Sequence, residues 1–305
     1  MLYRLRKRFE GGLKASWYRE RVRPKILQTP SLLLPQMSDY EIHVLTSIHD
    51  WLNLIWALKS FLHFSHTRTA LCIHEDGSLT PEVRDILATH FVGARIVSRA
   101  QADEEVLPSL AEFPQCQRFR SENNLALKVF DLRHYAQASR VLLLDSDVLT
   151  FRKPEVLLAS LNDASTPNRF NRDLADAYTA DRSALADEFG LDVASRFNSG
   201  VCTIQLESLK LDWIEQFLSS DLLDGHFWRI EQTVLCLCSS RFGCKPLPEP
   251  YDVVLSDGVQ GKPLKHYIGA IRQRMYAEGI RHLLRQNFLQ QLMVAERPVP
   301  SESPS

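Results

Sequence analysis

Residues 141–151 read VLLLDSDVLTF. An aliphatic run stops at two aspartates, Asp145 and Asp147, set one position apart. An unbroken apolar run of this length reads as a buried strand, here one that stops at a polar edge. Carboxylates this close repel one another unless a cation lies between them or one holds a proton. The string therefore has three readings: a metal site, an acid paired with a nucleophile, or a solvated strand end. On its own it does not choose among them.

The flanking sequence supplies the context. EIHVLTS (41–47) reads as a strand, and WLNLIWALKSFLHF (51–64) has helical apolar spacing. TALCIHEDGS (69–78) is a strand running into a turn. LTPEVRDILATHF (79–91) is a helix with Thr80 at its N-cap and Pro81 in its first turn. ARIVSR is a short strand, SENNLALKVFDLRHYAQ (121–137) a helix, and the aspartate-bearing strand follows. This alternation predicts an α/β fold, a single domain around a mixed, mostly parallel central sheet. Ligands of such sheets lie beyond the carboxyl ends of the strands, where Ser47, Asp76, Asp145 and Asp147 all fall. Asp76 also opens an Asp-Gly turn, and Ser47 is a weaker candidate for a nucleotide contact. Downstream, FNSGVCTIQLE (197–207) reads as a strand, and helices are expected over 208–220 and 227–242. The predicted division is a basic N-terminal extension (1–40), the α/β domain (41–285), and a helix end with a disordered tail (286–305).

Composition narrows the classes. The 305 residues are 45% hydrophobic with a net charge of -1, which gives no reason to expect nucleic acid as a partner. The charge is uneven: nine Arg and Lys against two Glu leave residues 1–25 at +7. Such a segment either docks on the protein surface or rests on an anionic membrane. No apolar run resembles a signal peptide or a membrane span. Cys72, Cys116, Cys202, Cys236, Cys238 and Cys244 sit mostly in apolar runs and match no paired zinc motif. They suit reduced core thiols in a cytoplasmic protein, peripheral to a membrane if the basic segment binds one.

Two family resemblances compete for the paired aspartates. VLLLDSDVLT resembles the first motif of haloacid dehalogenase-like phosphohydrolases, in which the first Asp is nucleophile and the second is acid. The acidic cluster those enzymes need later is not found in this sequence, and three strand–helix units precede the motif instead of following it. LLLDSDV, FNSGV (197–201), EQTVL (231–235) and HYIG (266–269), in that order and with about fifty residues between the first two, resemble GT-A fold (Rossmann-like) glycosyltransferases. The branch is the retaining, glycogenin- and galactosyltransferase-like one.

That resemblance implies a metal-dependent transfer of a hexose from a nucleotide diphosphate sugar, a UDP-sugar in this branch, to a hydroxyl acceptor. It implies Mn²⁺ or Mg²⁺ held by Asp145, Asp147 and His266. Lys128 would lie near the donor sugar or phosphate, and Asn198 would hold a hydroxyl of the transferred sugar, with Gly200 allowing close backbone approach. Glu231 and Gln232 would lie beside the anomeric carbon, Gln232 as a positioning group. The sequence departs from the branch where a Lys normally follows the His-x-x-Gly; Arg272 or Arg274 would take the diphosphate there. A protein that binds a sugar nucleotide without turnover is the remaining alternative.

Overall fold

The computed structural model describes residues 11–163, 165–225 and 227–295; the first ten residues of the basic segment and the tail 296–305 lie outside them. Nine strands build the region of interest: β1 Glu41–Thr46, β2 Ala70–Glu75, β3 Arg95–Val97, β4 Arg140–Leu144, β5 Val148–Thr150, β6 Asn168–Arg172, β7 Phe197–Gln205, β8 Cys244–Pro246 and β9 Leu264–His266. Seven form one sheet in the order β8-β6-β7-β4-β1-β2-β3. β1, β2, β3 and β4 pair in parallel, and β7 runs antiparallel to both neighbours, β4 and β6. β5 and β9 form a separate antiparallel ribbon. The mixed, mostly parallel sheet expected from the alternation is the sheet observed.

The helices that matter to the site are α1 Trp51–Ser65, α2 Pro81–His90, α3 Arg99–Ser109, α4 Pro114–Glu122, α5 Phe130–Tyr135 and α6 Ile230–Phe242. Thr80 caps α2 by accepting from the Val83 N–H, with Pro81 in the first turn. The single helix expected over 121–137 is instead broken. α4 ends at Glu122, a 3₁₀ turn covers Asn124–Lys128, and α5 begins at Phe130. Asn123 causes the break: its Oδ1 accepts from the Leu125 N–H (2.9 Å) and its Nδ2 donates to the Phe227 carbonyl (2.9 Å). A side-chain amide that captures nearby backbone groups competes with the helix ladder.

Alternate side chains of the sheet feed two cores. Ile42, Val44, Leu71, Ile73, Leu142 and Leu144 meet α1 on one face. Cys72, Val141, Leu143 and Ile204 meet α5 and α6 on the other. The first core also takes in Val22, Ile26, Leu32 and Leu34 from before residue 41, and Phe288 and Leu292 from after residue 285. The Trp56 indole N–H donates to the Arg23 carbonyl (2.9 Å), and buried Lys59 Nζ donates to the Pro30 carbonyl (2.6 Å). The described part of the basic segment is therefore docked on the domain, with its own buried side. No helix among the described residues is long and apolar enough to cross a membrane. All six cysteines are free, and five are buried.

The second core holds a charged group away from water. Arg120, fully buried, donates from Nη2 to Asp131 Oδ2 (3.0 Å) and from Nε to Oδ1, while Nη1 reaches Asp103 (2.9 Å). Burial pushes the Asp131 carboxyl above its ordinary value against the pull of Arg120. Removing one partner of such a pair strands the other in a low dielectric, at a cost of about 3–5 kcal/mol. Arg120→Met should lower stability by about that amount in urea melts, and Asp131→Asn added to it should restore part of the loss. A single variant as stable as the parent would show that the pair contributes no net stability.

Candidate active site

The carboxyl ends of β1, β2 and β4 meet the amino end of the reversed strand β7 along one edge of the sheet. The Asp145 N–H donates to the Gly200 carbonyl (2.9 Å), which closes β4 onto β7. A turn carries the chain through Asp145 and Asp147 into β5. β9 then pairs with β5 so that His266 stands opposite Val148, and the Tyr267 N–H donates to the Asp147 carbonyl (2.9 Å). Backbone pairing thus delivers His266 to the aspartates. Its Nε2 lies 3.1 Å from Asp147 Oδ1 and 3.7 Å from Asp145 Oδ2. One ligand atom from each of the three residues falls within 4.8 Å of the others.

The other ring nitrogen fixes the orientation. His266 Nδ1 is 2.9 Å from Asn198 Oδ1, which also accepts from the Gly200 N–H (3.0 Å). Asn198 Nδ2 donates to Asp173 Oδ2 (2.8 Å). With its amide oxygen already facing one donor and its nitrogen facing a carboxylate, Asn198 accepts from His266. Nδ1 carries that proton, and Nε2 faces the carboxylates. An imidazole held at one nitrogen and offering the other is the usual arrangement at a metal site. Gly200 lies directly under the ring. A Cβ there would stand 2.2 Å from His266 Cε1 and 2.5 Å from Nδ1. Close approach, not an unusual backbone angle, requires the glycine.

Cations balance the acidic pair. Lys128, on the 3₁₀ turn before α5, places Nζ 2.6 Å from Asp145 Oδ1 and 3.9 Å from Glu231 Oε1. Burial alone would lower its pKa, but Asp145 and Glu231 outweigh burial and hold it above the ordinary lysine value. Arg272 Nη2 donates to Asp147 Oδ2 (3.0 Å), and Nη1 lies 3.5 Å from Asp50 Oδ1. Burial acts to raise the Asp147 pKa, yet His266 and Arg272 bring it below the usual carboxylate range. His266 is raised in turn: burial opposes its charge, and Asp147 prevails. Arg274 points elsewhere, pairing with Asp257 (2.9 Å) and the Leu255 carbonyl.

Glu231 and Gln232 sit at the start of α6, beneath residues 198–199. Gln232 Oε1 accepts from the Ser199 N–H (3.2 Å), and Nε2 donates to the Ala177 carbonyl (3.1 Å). Glu231 Oε2 accepts from Ser199 Oγ (3.1 Å); Oε1 is buried without a hydrogen-bond partner among the described residues. Burial pushes the Glu231 carboxyl up to about 7, with Lys128 opposing the shift and Asp145 adding to it.

A cleft of about 430 Å³ opens above these groups, lined by Ser47, Asp76, Lys128, Asp145, Asp147 and Arg272. Ser47 Oγ bonds Asp50 Oδ2 (3.3 Å), and Asp76 Oδ1 accepts from the Ser78 N–H (3.0 Å), so Asp76 forms its turn while also lining the cleft. Phe227 and Trp228, packed edge to face, stand at the mouth. The structure brings Asp145, Asp147, His266, Lys128, Asn198, Gly200, Glu231, Gln232, Ser47, Asp76 and Arg272 to one edge and leaves Arg274 outside. Sequence reasoning passed over Asp50, although its place just before α1, three residues after Ser47, is a helix-start signal. It left Asp173 without a role, and no spacing rule links Asp173 to Asn198.

No protein-family model matches the chain, and no curated protein matches it in sequence. Solved structures do match it in fold. Mouse xyloside xylosyltransferase 1 in its apo form superposes at a TM-score of 0.53 over 77% of this chain and 99% of its own, at 12% identity. The mannosyltransferase Ktr4p from S. cerevisiae superposes at 0.52 over 89% of each chain, also at 12% identity. The chain has the GT-A glycosyltransferase fold.

Two expectations test this geometry. Gly200→Ala should displace the His266 ring and weaken Mn²⁺ binding by about 10–100-fold, measured by calorimetry on the folded variant. Unchanged affinity would separate His266 from the metal. Glu231 has a folded pKa above the model-compound value, so stability from its neutral form is present below about pH 4.5 and is lost as pH rises to about 7. Glu231→Gln should therefore gain stability on the parent across that window, reaching roughly 3 kcal/mol by pH 8. A pH-independent difference in chemical denaturation would rule out the buried titration.

Proposed function

We propose that this chain is a metal-dependent glycosyltransferase that moves a hexose from a nucleotide diphosphate sugar, UDP-linked, to a hydroxyl acceptor with retention, in the manner of the glycogenin- and galactosyltransferase-like branch. The observation that carries the reading is the convergence of Asp145, Asp147 and the Nε2 of His266 at the cleft floor, with Lys128 and Arg272 beside them. Two carboxylates and an imidazole suit Mn²⁺, with Mg²⁺ the harder alternative. Held there, the divalent cation supplies positive charge against a departing diphosphate. Both structural neighbours are named as sugar transferases, one for the pentose xylose and one for the hexose mannose, in keeping with glycosyl transfer.

The remaining roles fall to the chain itself. Arg272 lies between Asp147 and Asp50 and offers guanidinium N–H groups to the diphosphate, so it takes the place of the missing Lys; Arg274, paired with Asp257, does not. Ser47 and Asp76 lie at the ends of β1 and β2, where they would contact the nucleoside. Lys128, held charged by Asp145 and Glu231, binds the donor sugar or its phosphate. Gln232 has both ends of its amide on backbone groups, so it holds the 198–200 segment in place and does not attack. Glu231 keeps one oxygen without a partner and can take a hydroxyl proton or steady positive charge at the anomeric carbon. Glu231, the side chain here with nucleophilic capacity, is buried beneath Ser199, which favours attack from the leaving-group face assisted by the departing phosphate. In this geometry Asn198 holds His266, and contact with a sugar hydroxyl would be a second duty.

The phosphohydrolase alternative needs a further acidic cluster beside the pair; among the described residues the group that joins the pair within 4.8 Å is an imidazole. A thermal-shift series with UDP, with and without Mn²⁺, should give a metal-dependent rise in Tm. Incubation with a panel of sugar nucleotides should release UDP. Asp147→Ala should abolish both, a loss beyond the about 10–100-fold that changes to outer contacts cause. Phosphate release from small phosphoesters with no nucleotide response would favour the phosphohydrolase. A nucleotide response with no turnover on any donor would favour a binding protein.

A further inference from the structure

The docked N-terminal helix, α over Gly12–Trp17 and π over Tyr18–Val22, leaves one side uncovered. Ala15, Ser16 and Val22 face the protein, while Leu13 and Trp17, one helical turn apart, are 77% and 55% exposed. Lys14 lies beside them and lines a groove of about 400 Å³ with Arg281 and Arg285. The acidic residues of that groove are already engaged: Asp257 by Arg274 (2.9 Å), and Glu278 by Lys265 (2.7 Å) and the Tyr267 hydroxyl (3.1 Å). Among the described residues, no carboxylate lies within 4.0 Å of Lys14, Arg281 or Arg285. Three cations without a carboxylate partner thus line one groove, and Lys14 among them is the chain neighbour of exposed Leu13, in a segment whose first 25 residues carry +7.

We propose that this face binds the surface of an anionic phospholipid bilayer. A free anion would use the cations but gain nothing from Leu13 and Trp17. A bilayer uses both: headgroup phosphates meet the basic groove, and the leucine and indole enter the interfacial layer. The face is joined to the cleft through one short stretch. Gln273 accepts from Arg19 of the N-terminal helix (3.1 Å), and its neighbour Arg272 bonds Asp147. Gly11 also packs against Gln273, where an added Cβ would stand 2.6 Å from Gln273 Cβ. The segment that carries Leu13 and Trp17 therefore packs, through Gly11 and Arg19, on the stretch that supplies Arg272 to the active site. Resting on the glycosyltransferase reading, this points to an acceptor hydroxyl carried by a membrane lipid.

Co-sedimentation of the full chain tests the binding without reference to activity. Phosphatidylcholine vesicles containing phosphatidylserine should retain the protein at low salt and release it at high salt, and pure phosphatidylcholine should not retain it. Lys14→Gln, Arg281→Gln and Arg285→Gln should each weaken partition by about fivefold. Leu13→Ser with Trp17→Ser should weaken it further and remove the blue shift of tryptophan emission on binding. Each variant should keep the Tm rise with UDP and Mn²⁺, so a failure of the nucleotide reading shows separately. Equal partition to both vesicle types, or variants that bind like the parent, would overturn the proposal. Dimerisation lost in the Leu13/Trp17 variant, without vesicle binding, would assign the face to a second copy of the chain.

Discussion

Two carboxylates one residue apart, at the end of a strand buried on both faces, set the condition that the rest of the site meets. Like charges in a poorly solvated cleft are costly unless opposite charge is placed within a few ångströms. The chain surrounds Asp145 and Asp147 with Lys128, His266 and Arg272, each from a different part of the fold. Those partners in turn fix other features. His266 needs an acceptor for its far nitrogen, which Asn198 supplies, and room for its ring, which Gly200 leaves. Lys128 stands on a 3₁₀ turn because Asn123 interrupts the helix before it.

Much of the fold was legible because parallel sheets write themselves plainly in sequence. Strands buried on both faces are continuous apolar runs, and Gly, Pro and capping residues mark the helices between them. The acidic pair stood out by residue type, and the histidine and the lysine were named through the resemblance to GT-A glycosyltransferases. What the sequence did not disclose was pairing between distant segments. The β5–β9 ribbon sets His266 opposite Val148, yet Leu264–His266 is only three residues long and carries no strand signal of its own. The break at Asn123 was hidden because helical apolar spacing continues across it; a side-chain contact with Phe227 decides it. Arg272 and Arg274 are two positions apart with equal charge, and only tertiary contacts separate their directions.

Glu231 shows how a residue can keep its place in a motif while its surroundings define its chemistry. Buried under Ser199, with one oxygen unpartnered and Lys128 at 3.9 Å, it is poised between its two protonation states near neutral pH. A carboxyl in that condition serves proton transfer better than one fixed in a salt bridge. Gln232, one position on, is spent on backbone hydrogen bonds and is a structural strut.

The ionic contact between Asp147 and Arg272 spans 125 positions of chain. A site closed by so late a segment forms only at the cost of ordering a long stretch of chain. No shorter, partly folded form of the chain contains a complete cleft. Ligands that bridge β4 to the segment after β9 favour the finished fold alone, and they act as clasps on the end of the chain. Protection of the region after residue 264 against proteolysis would then track occupancy of the cleft, so the carboxyl-terminal segment serves as a reporter of substrate as well as a wall of its binding site.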